Sequence, residues 1–232
     1  MNIKNILLYL YLVVLAADLL VIHFNWFNGE VVFKSALMPV LAGYYLIISK
    51  NKKIRSFRLF GIALILAWLG DVFLLFSPLN DMYFILGMCA FLIMQLIYAY
   101  CFHLLRTDNS TLLNNRFIHT RMVMVALALG AFYYVIAPQM GNLKLPVGLY
   151  VCAIAIMVIY AIKRRGNTTE KSFTLVYGGA LIFMVSDGMI AVVKFMEDFN
   201  HSRVLIMLTY GIAQLLIVRG VYLHQKAYHT SK

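Results

Sequence analysis

The chain has 232 residues, of which 63% are hydrophobic and 12% charged, with a mean hydropathy of +0.84 and a formal net charge of +11. That balance excludes a soluble globular domain, which would lack the polar residues to cover its surface. The continuous apolar runs exclude a β-barrel, which needs alternation at every second position.

In chain order the apolar runs predict an all-α polytopic bundle of eight transmembrane helices. At about 20 residues per crossing, the spans fall at 5–24, 31–49, 57–77, 82–105, 117–137, 143–162, 172–196 and 202–223. The first run continues past Asp18 and reads as a span rather than a signal peptide. Breakers mark the short connections: Asn28-Gly29, Ser77-Pro78, Pro138 with Gly141, and Gly166-Asn167. No connection leaves room for a soluble domain, so residues 1–232 are expected to form a single transmembrane domain.

Basic residues set the orientation. One side holds Lys4; Lys50, Lys52, Lys53, Arg55 and Arg58; Arg106, Arg116 and Arg121; Lys163, Arg164, Arg165 and Lys171; and Arg219, Lys226 and Lys232. The opposite side holds Lys144 and Arg203, while Lys34 and Lys194 sit inside span ends. Both termini are therefore expected in the cytoplasm, and the positive charge reads as topology rather than as a nucleic-acid surface. In a bacterium the membrane would be the plasma (inner) membrane. Cys89, Cys101 and Cys152 lie in apolar runs without metal-ligand spacing, and no HExxH or GxSxG motif occurs.

The informative residues are polar groups at depth. "AWLGDVFLLF" (67–76) carries Asp71 and "FMVSDGMIAV" (183–192) carries Asp187; an ionisable group inside a span is costly and points to function. With a rise of 1.5 Å per residue, Asp18, Lys34 and Asp71 lie about 9, 5 and 9 Å in from the outer ends of spans 1, 2 and 3. Asp187 lies roughly 10–14 Å in from the outer end of span 7. Four spans thus place ionisable groups in one layer of the outer half, as a polar cavity would require. In span 4, Gly87, Phe91, Gln95 and Tyr98 share a face; in span 8, Tyr210 and Gln214 do. These groups are expected as the cavity floor. Asp71 followed by Gln95, and Asp187 followed by Gln214, suggest two four-span halves of common ancestry.

"FKSALMPVL" (33–41), "AWLGDVFLLF", "FILGMCAFLIMQLIYAY" (84–100), "GGALIFMVSD" (178–187) and "LTYGIAQLLIVRG" (208–220) resemble the YhhN family of eight-span membrane proteins, whose animal members are lysoplasmalogenases. The resemblance runs through spans 2 to 8 in order. Where family members often have Lys-Pro, this chain has Lys34-Ser35, with a proline only at Pro39.

The resemblance implies hydrolysis of the vinyl ether of a lysoplasmalogen to a fatty aldehyde and glycerophosphoethanolamine or glycerophosphocholine, with no cofactor. Vinyl ethers hydrolyse through protonation at carbon, so the reaction needs a protonated acid and an ionised carboxylate, the logic of glycoside hydrolysis. Asp71 and Asp187 are the expected pair. Lys34 is expected at the substrate phosphate, Asp18 at an ammonium head group, and Gln95, Tyr98, Tyr210 and Gln214 at the glycerol hydroxyl or the water. The expected partners are a lysophospholipid substrate and the bilayer. Two readings compete: a non-catalytic lipid-binding or scaffolding protein, which would need no paired carboxylates, and a small-molecule or proton-coupled transporter, which also uses intramembrane Asp and Lys. Against the transporter, these spans lack Gly/Pro-broken helices, and the polar layer sits off-centre.

Overall fold

The computed structural model describes residues 2–49, 55–106 and 116–230. Lys50, Lys52, Lys53 and Lys232 lie outside the described residues, and so do the side chains of Arg55 and Lys226. The regular secondary structure among the described residues is helical, with no strand. In order the helices are α1 (Ile3–His23), α2 (Phe27–Ile48), α3 (Arg55–Leu75), α4 (Asp81–Leu104), α5 (Arg116–Ile136), α6 (Lys144–Ile162), α7 (Glu170–Phe195) and α8 (Ser202–Thr230).

Seven helical stretches among the described residues are long and apolar enough to cross a membrane. The difference from the expected eight lies at 116–162, which forms one stretch because a 3-10 segment, Ala137–Leu143, joins α5 to α6. Gly141 (φ 52°, ψ −125°) breaks the helical path there. It occupies the left-handed region that glycine enters without steric cost. The Tyr133 hydroxyl donates to the Lys144 carbonyl at 3.0 Å, and α5 packs against α6.

The chain divides into two compact units, Met1–Tyr98 and Ala99–Lys232. In the first unit, α1 packs on α2 and α2 on α3. The α1–α2 turn comes earlier than the Asn28-Gly29 signal suggests. Asn25 takes the left-handed conformation (φ 54°), and α2 starts at Phe27, so Glu30 lies inside the helix. An acidic group in a first turn is favoured by the helix dipole.

Pro39, inside α2, has no N–H to offer the carbonyl four residues back, that of Ser35. The Trp68 indole N–H of α3 donates to that carbonyl at 2.9 Å. A proline in one helix is thereby satisfied by a tryptophan of the next, and the contact fixes the register of α2 against α3 one turn from Asp71.

The second unit is organised by α7 and α8. Their backbones approach closely at two glycines: a Cβ on Gly179 would lie 2.9 Å from the Ala213 carbonyl oxygen, and one on Gly220 would lie 2.9 Å from the Val176 nitrogen. Ser172 Oγ donates to the Gly220 carbonyl at 2.6 Å, and Ser186 Oγ to the Ile206 carbonyl at 3.0 Å, so hydroxyls pin both ends of the pair.

Arg164, just past α6, is fully buried rather than a solvated topology charge. Its guanidinium donates to the Leu105 carbonyl (3.1 Å) and to Ser172 Oγ (2.9 Å), tying the end of α4 to α7. Burial pushes its pKa down to about 9, which leaves it charged at neutral pH.

Candidate active site

In the first unit the sequence-derived polar residues are buried: Asp18 is 0% exposed, Asp71 3% and Gln95 0%. Gly70 and Gly87 explain how Asp71 reaches this position. A Cβ on Gly70 would lie 2.7 Å from the Phe91 ring, and one on Gly87 would lie 3.2 Å from the Gly70 carbonyl oxygen. α3 and α4 therefore pack closely at Gly70 and Gly87, with Asp71 next to Gly70 on α3 and Phe91 one turn beyond Gly87 on α4. From α1, the buried Tyr11 hydroxyl lies within electrostatic reach of the Asp71 carboxylate. Tyr11 escapes a sequence reading because a tyrosine within an apolar run looks like packing.

Lys34 is not a lone cation. Its Nζ stands 3.9 Å from Glu30 Oε1, one turn earlier on α2, and Glu30 is 5% exposed. The missed partner follows from the earlier start of α2, which turns an apparent loop residue into a buried helical one. Lys34 and Asp71 occupy neighbouring turns of adjacent helices, because Ser35 and Trp68 join α2 to α3. Tyr98 belongs elsewhere: its ring stacks on Phe60 at 4.9 Å, and Phe60 stands 4.8 Å from Tyr45. Phe60 precedes Asp71 by eleven residues, roughly 16 Å along α3, so Tyr98 sits in an aromatic core away from Asp71.

In the second unit Asp187 is 7% exposed and accepts a 2.6 Å hydrogen bond at Oδ2 from the Tyr150 hydroxyl of α6. A short bond from a phenol hydroxyl restrains the orientation of the carboxyl group. The neighbouring Ser186 hydroxyl donates to the Ile206 carbonyl at 3.0 Å, which ties α7 to α8 beside Asp187. On α8, Tyr210 and Gln214 are buried, and Tyr210 faces Phe183 of α7 with ring centroids 6.0 Å apart. Gln214 lies one turn further along α8. Asp18, Lys34, Asp71, Gln95 and Tyr98 thus belong to the first unit, and Asp187, Tyr210 and Gln214 to the second. No group of three or more His, Cys, Asp or Glu among the described residues is arranged to hold a metal ion.

Apolar helices of crossing length, with carboxyl groups buried within them, define a multi-pass integral membrane protein with intramembrane polar groups. The chain belongs to the YhhN family, whose match covers residues 29–221. It is similar to lysoplasmalogenase TMEM86A of Bos taurus, with 32% identity over 160 residues covering 67% of this chain and 62% of the relative. The TMEM86A of Homo sapiens is 30% identical over the same shares of both chains. Human lysoplasmalogenase TMEM86B is 27% identical over 194 residues, 83% of this chain and 74% of the relative. The match thus spans less than two thirds of either TMEM86A chain. No solved structure matches.

Proposed function

We propose that this protein is a membrane-embedded hydrolase that cleaves the vinyl ether bond of lysoplasmalogens, releasing a fatty aldehyde and a glycerophospho-alcohol. The relatives' names support the substrate class. The observation that carries the chemistry is the buried carboxyl of Asp187, held at one oxygen by Tyr150. Asp71, equally buried, is the second carboxyl of the proposal.

One carboxylic acid gives its proton to the alkenyl carbon remote from the ether oxygen. The double-bond electrons form the new C–H bond, leaving an oxocarbenium ion. The other carboxyl group, ionised, stabilises that cation and takes a proton from the water that adds to it. The resulting hemiacetal collapses to aldehyde and free glycerol hydroxyl, so water is consumed and no redox partner is needed. Burial favours the protonated form of a carboxyl group, which is how an acid persists near neutral pH. Asp18 is assigned to an ammonium head group, and Gln95, Tyr210 and Gln214 to the glycerol hydroxyl or the water. Lys34 remains the proposed phosphate contact, with its charge shared by Glu30.

Aldehyde release by the purified chain in detergent tests the reaction. A transporter would instead give substrate flux in proteoliposomes without turnover. Tyr150→Phe keeps the ring and removes the donor to Asp187. Hydrogen bonds to charged groups contribute about 1.5–3 kcal/mol, so turnover is expected to fall by about tenfold or more. Steady-state kinetics on folded protein check this, and unchanged turnover would free Asp187 of any dependence on Tyr150.

We also infer eight crossings with both termini cytoplasmic, α5 and α6 being separate spans. Cysteines placed at Asn28, Asn80, Asn142 and Asn200, in a background without native cysteines, should react with an impermeant thiol reagent from outside. Labelling of a cysteine at Gly166 instead would invert the topology.

A further inference from the structure

The second unit holds a cationic cluster that the proposed reaction does not use. Phe117, in the first turn of α5, has two guanidinium groups against its ring. The Arg121 Cζ lies 4.0 Å from the ring centroid and the Arg165 Cζ 3.3 Å. The two carbons are therefore at most about 7 Å apart, the sum of those distances, where like charges repel. Arg121 also lies over Tyr177 of α7, 5.4 Å from its ring centroid, and donates Nη1 to its hydroxyl at 3.1 Å. Tyr177 in turn stacks on Phe173 at 5.5 Å. The aromatic platform is thus braced by α7 and presents both cations from a fixed base.

The donors on this platform are incompletely used. Arg165 Nη1 is shielded from solvent and has no hydrogen-bond partner among the described residues. An aromatic face attracts a guanidinium but does not satisfy its N–H groups in their own plane. Adjacent Arg164 commits two donors, to Leu105 and Ser172, and leaves only its Nε without a partner among the described residues. A planar fork of N–H donors matches phosphate oxygens bidentately, and an anion between two guanidiniums removes their repulsion.

The position favours a lipid. Arg121 sits five residues into α5, and Arg165 lies three residues past the end of α6, so both stand where apolar helices end. Tyr177 precedes Asp187 by ten residues, about 15 Å along α7. The cluster is therefore well separated from the proposed acid–base residue of its own unit.

We infer that Arg121 and Arg165, on the Phe117 platform, form a binding site for the phosphate of an anionic phospholipid head group. Native mass spectrometry of the detergent-purified full chain, titrated with phosphatidylglycerol, reads the affinity directly and needs no enzymatic activity. Arg121→Gln with Arg165→Gln should weaken phosphatidylglycerol binding by at least about tenfold. Lys171→Gln, which removes an exposed charge at the start of α7, should leave it almost unchanged. The Arg121→Lys, Arg165→Lys pair keeps the charge but loses the fork, and should show a partial loss; it also serves if the glutamine pair does not fold. Wild-type affinity in a folded glutamine pair, or equal losses from Lys171→Gln, would overturn the site. Inorganic phosphate competing at concentrations comparable to the lipid would overturn the lipid assignment.

Discussion

Asp187→Asn and Asp71→Asn should each lower turnover by at least about 10²-fold, the scale of general acid–base catalysis. Asparagine keeps the shape and much of the hydrogen bonding of aspartate but neither donates an acidic proton nor carries charge. At position 187 it can still accept from the Tyr150 hydroxyl, so the local fold should survive. The double variant should be little worse than the poorer single one, because groups that act as a unit are not additive. Lys34→Ala should instead raise KM with a smaller effect on turnover, since Lys34 is assigned to head-group binding. The wild-type rate should be bell-shaped in pH, reporting one ionised and one protonated carboxyl. Near-native turnover in folded Asp187→Asn would return that residue to a structural role.

Gly179→Ala and Gly220→Ala should each destabilise the second unit, by about 1–3 kcal/mol from overpacking. The added methyl at 179 would stand 2.9 Å from the Ala213 carbonyl oxygen, and that at 220 would stand 2.6 Å from Val176 Cγ2 and 2.9 Å from its nitrogen. The obstacles include backbone, so side-chain rotation alone cannot relieve them, and α7 must move from α8. The Gly220 variant also strains the 2.6 Å bond from Ser172 Oγ, which shares its hydroxyl with buried Arg164. Gly178→Ala is the control, because a Cβ there meets nothing within 4 Å. Thermal unfolding in detergent should separate the two sites from this control by several degrees; equal midpoints would mean that the helix pair tolerates separation.

The carboxyl groups were legible in the sequence because an aspartate in the middle of an apolar run has few structural excuses. Tyr150 was not: it is one of 15 tyrosines, and an aromatic in a span reads equally well as packing or as an interface anchor. Glu30 was hidden by a turn signal, since Asn28-Gly29 marks a connection while Asn25 actually makes the left-handed step. Pro39 was visible as a departure from the family's Lys-Pro, but its consequence, a Ser35 carbonyl satisfied by Trp68, depends on a contact between residues 33 positions apart. Arg164 looks in the sequence like one more basic residue of a connection; nothing in the local pattern distinguishes a buried guanidinium from the half-buried Lys163 and Arg165 beside it. The matched Asp–Gln pairs of spans 3–4 and 7–8 suggest two four-span halves, whereas the compact units divide at Tyr98, inside α4 rather than between spans 4 and 5.

The central claim is that this protein hydrolyses a vinyl ether by protonating carbon. The most direct measurement is mass analysis of the aldehyde released from a lysoplasmalogen by the purified protein in D₂O. Proton donation from a carboxyl group in exchange with solvent places a single deuterium on the carbon next to the carbonyl, with aldehyde and glycerophospho-alcohol formed in equal amounts. Aldehyde release no greater than that of a protein-free detergent blank, across lysoplasmalogens with ethanolamine and choline head groups, would contradict it.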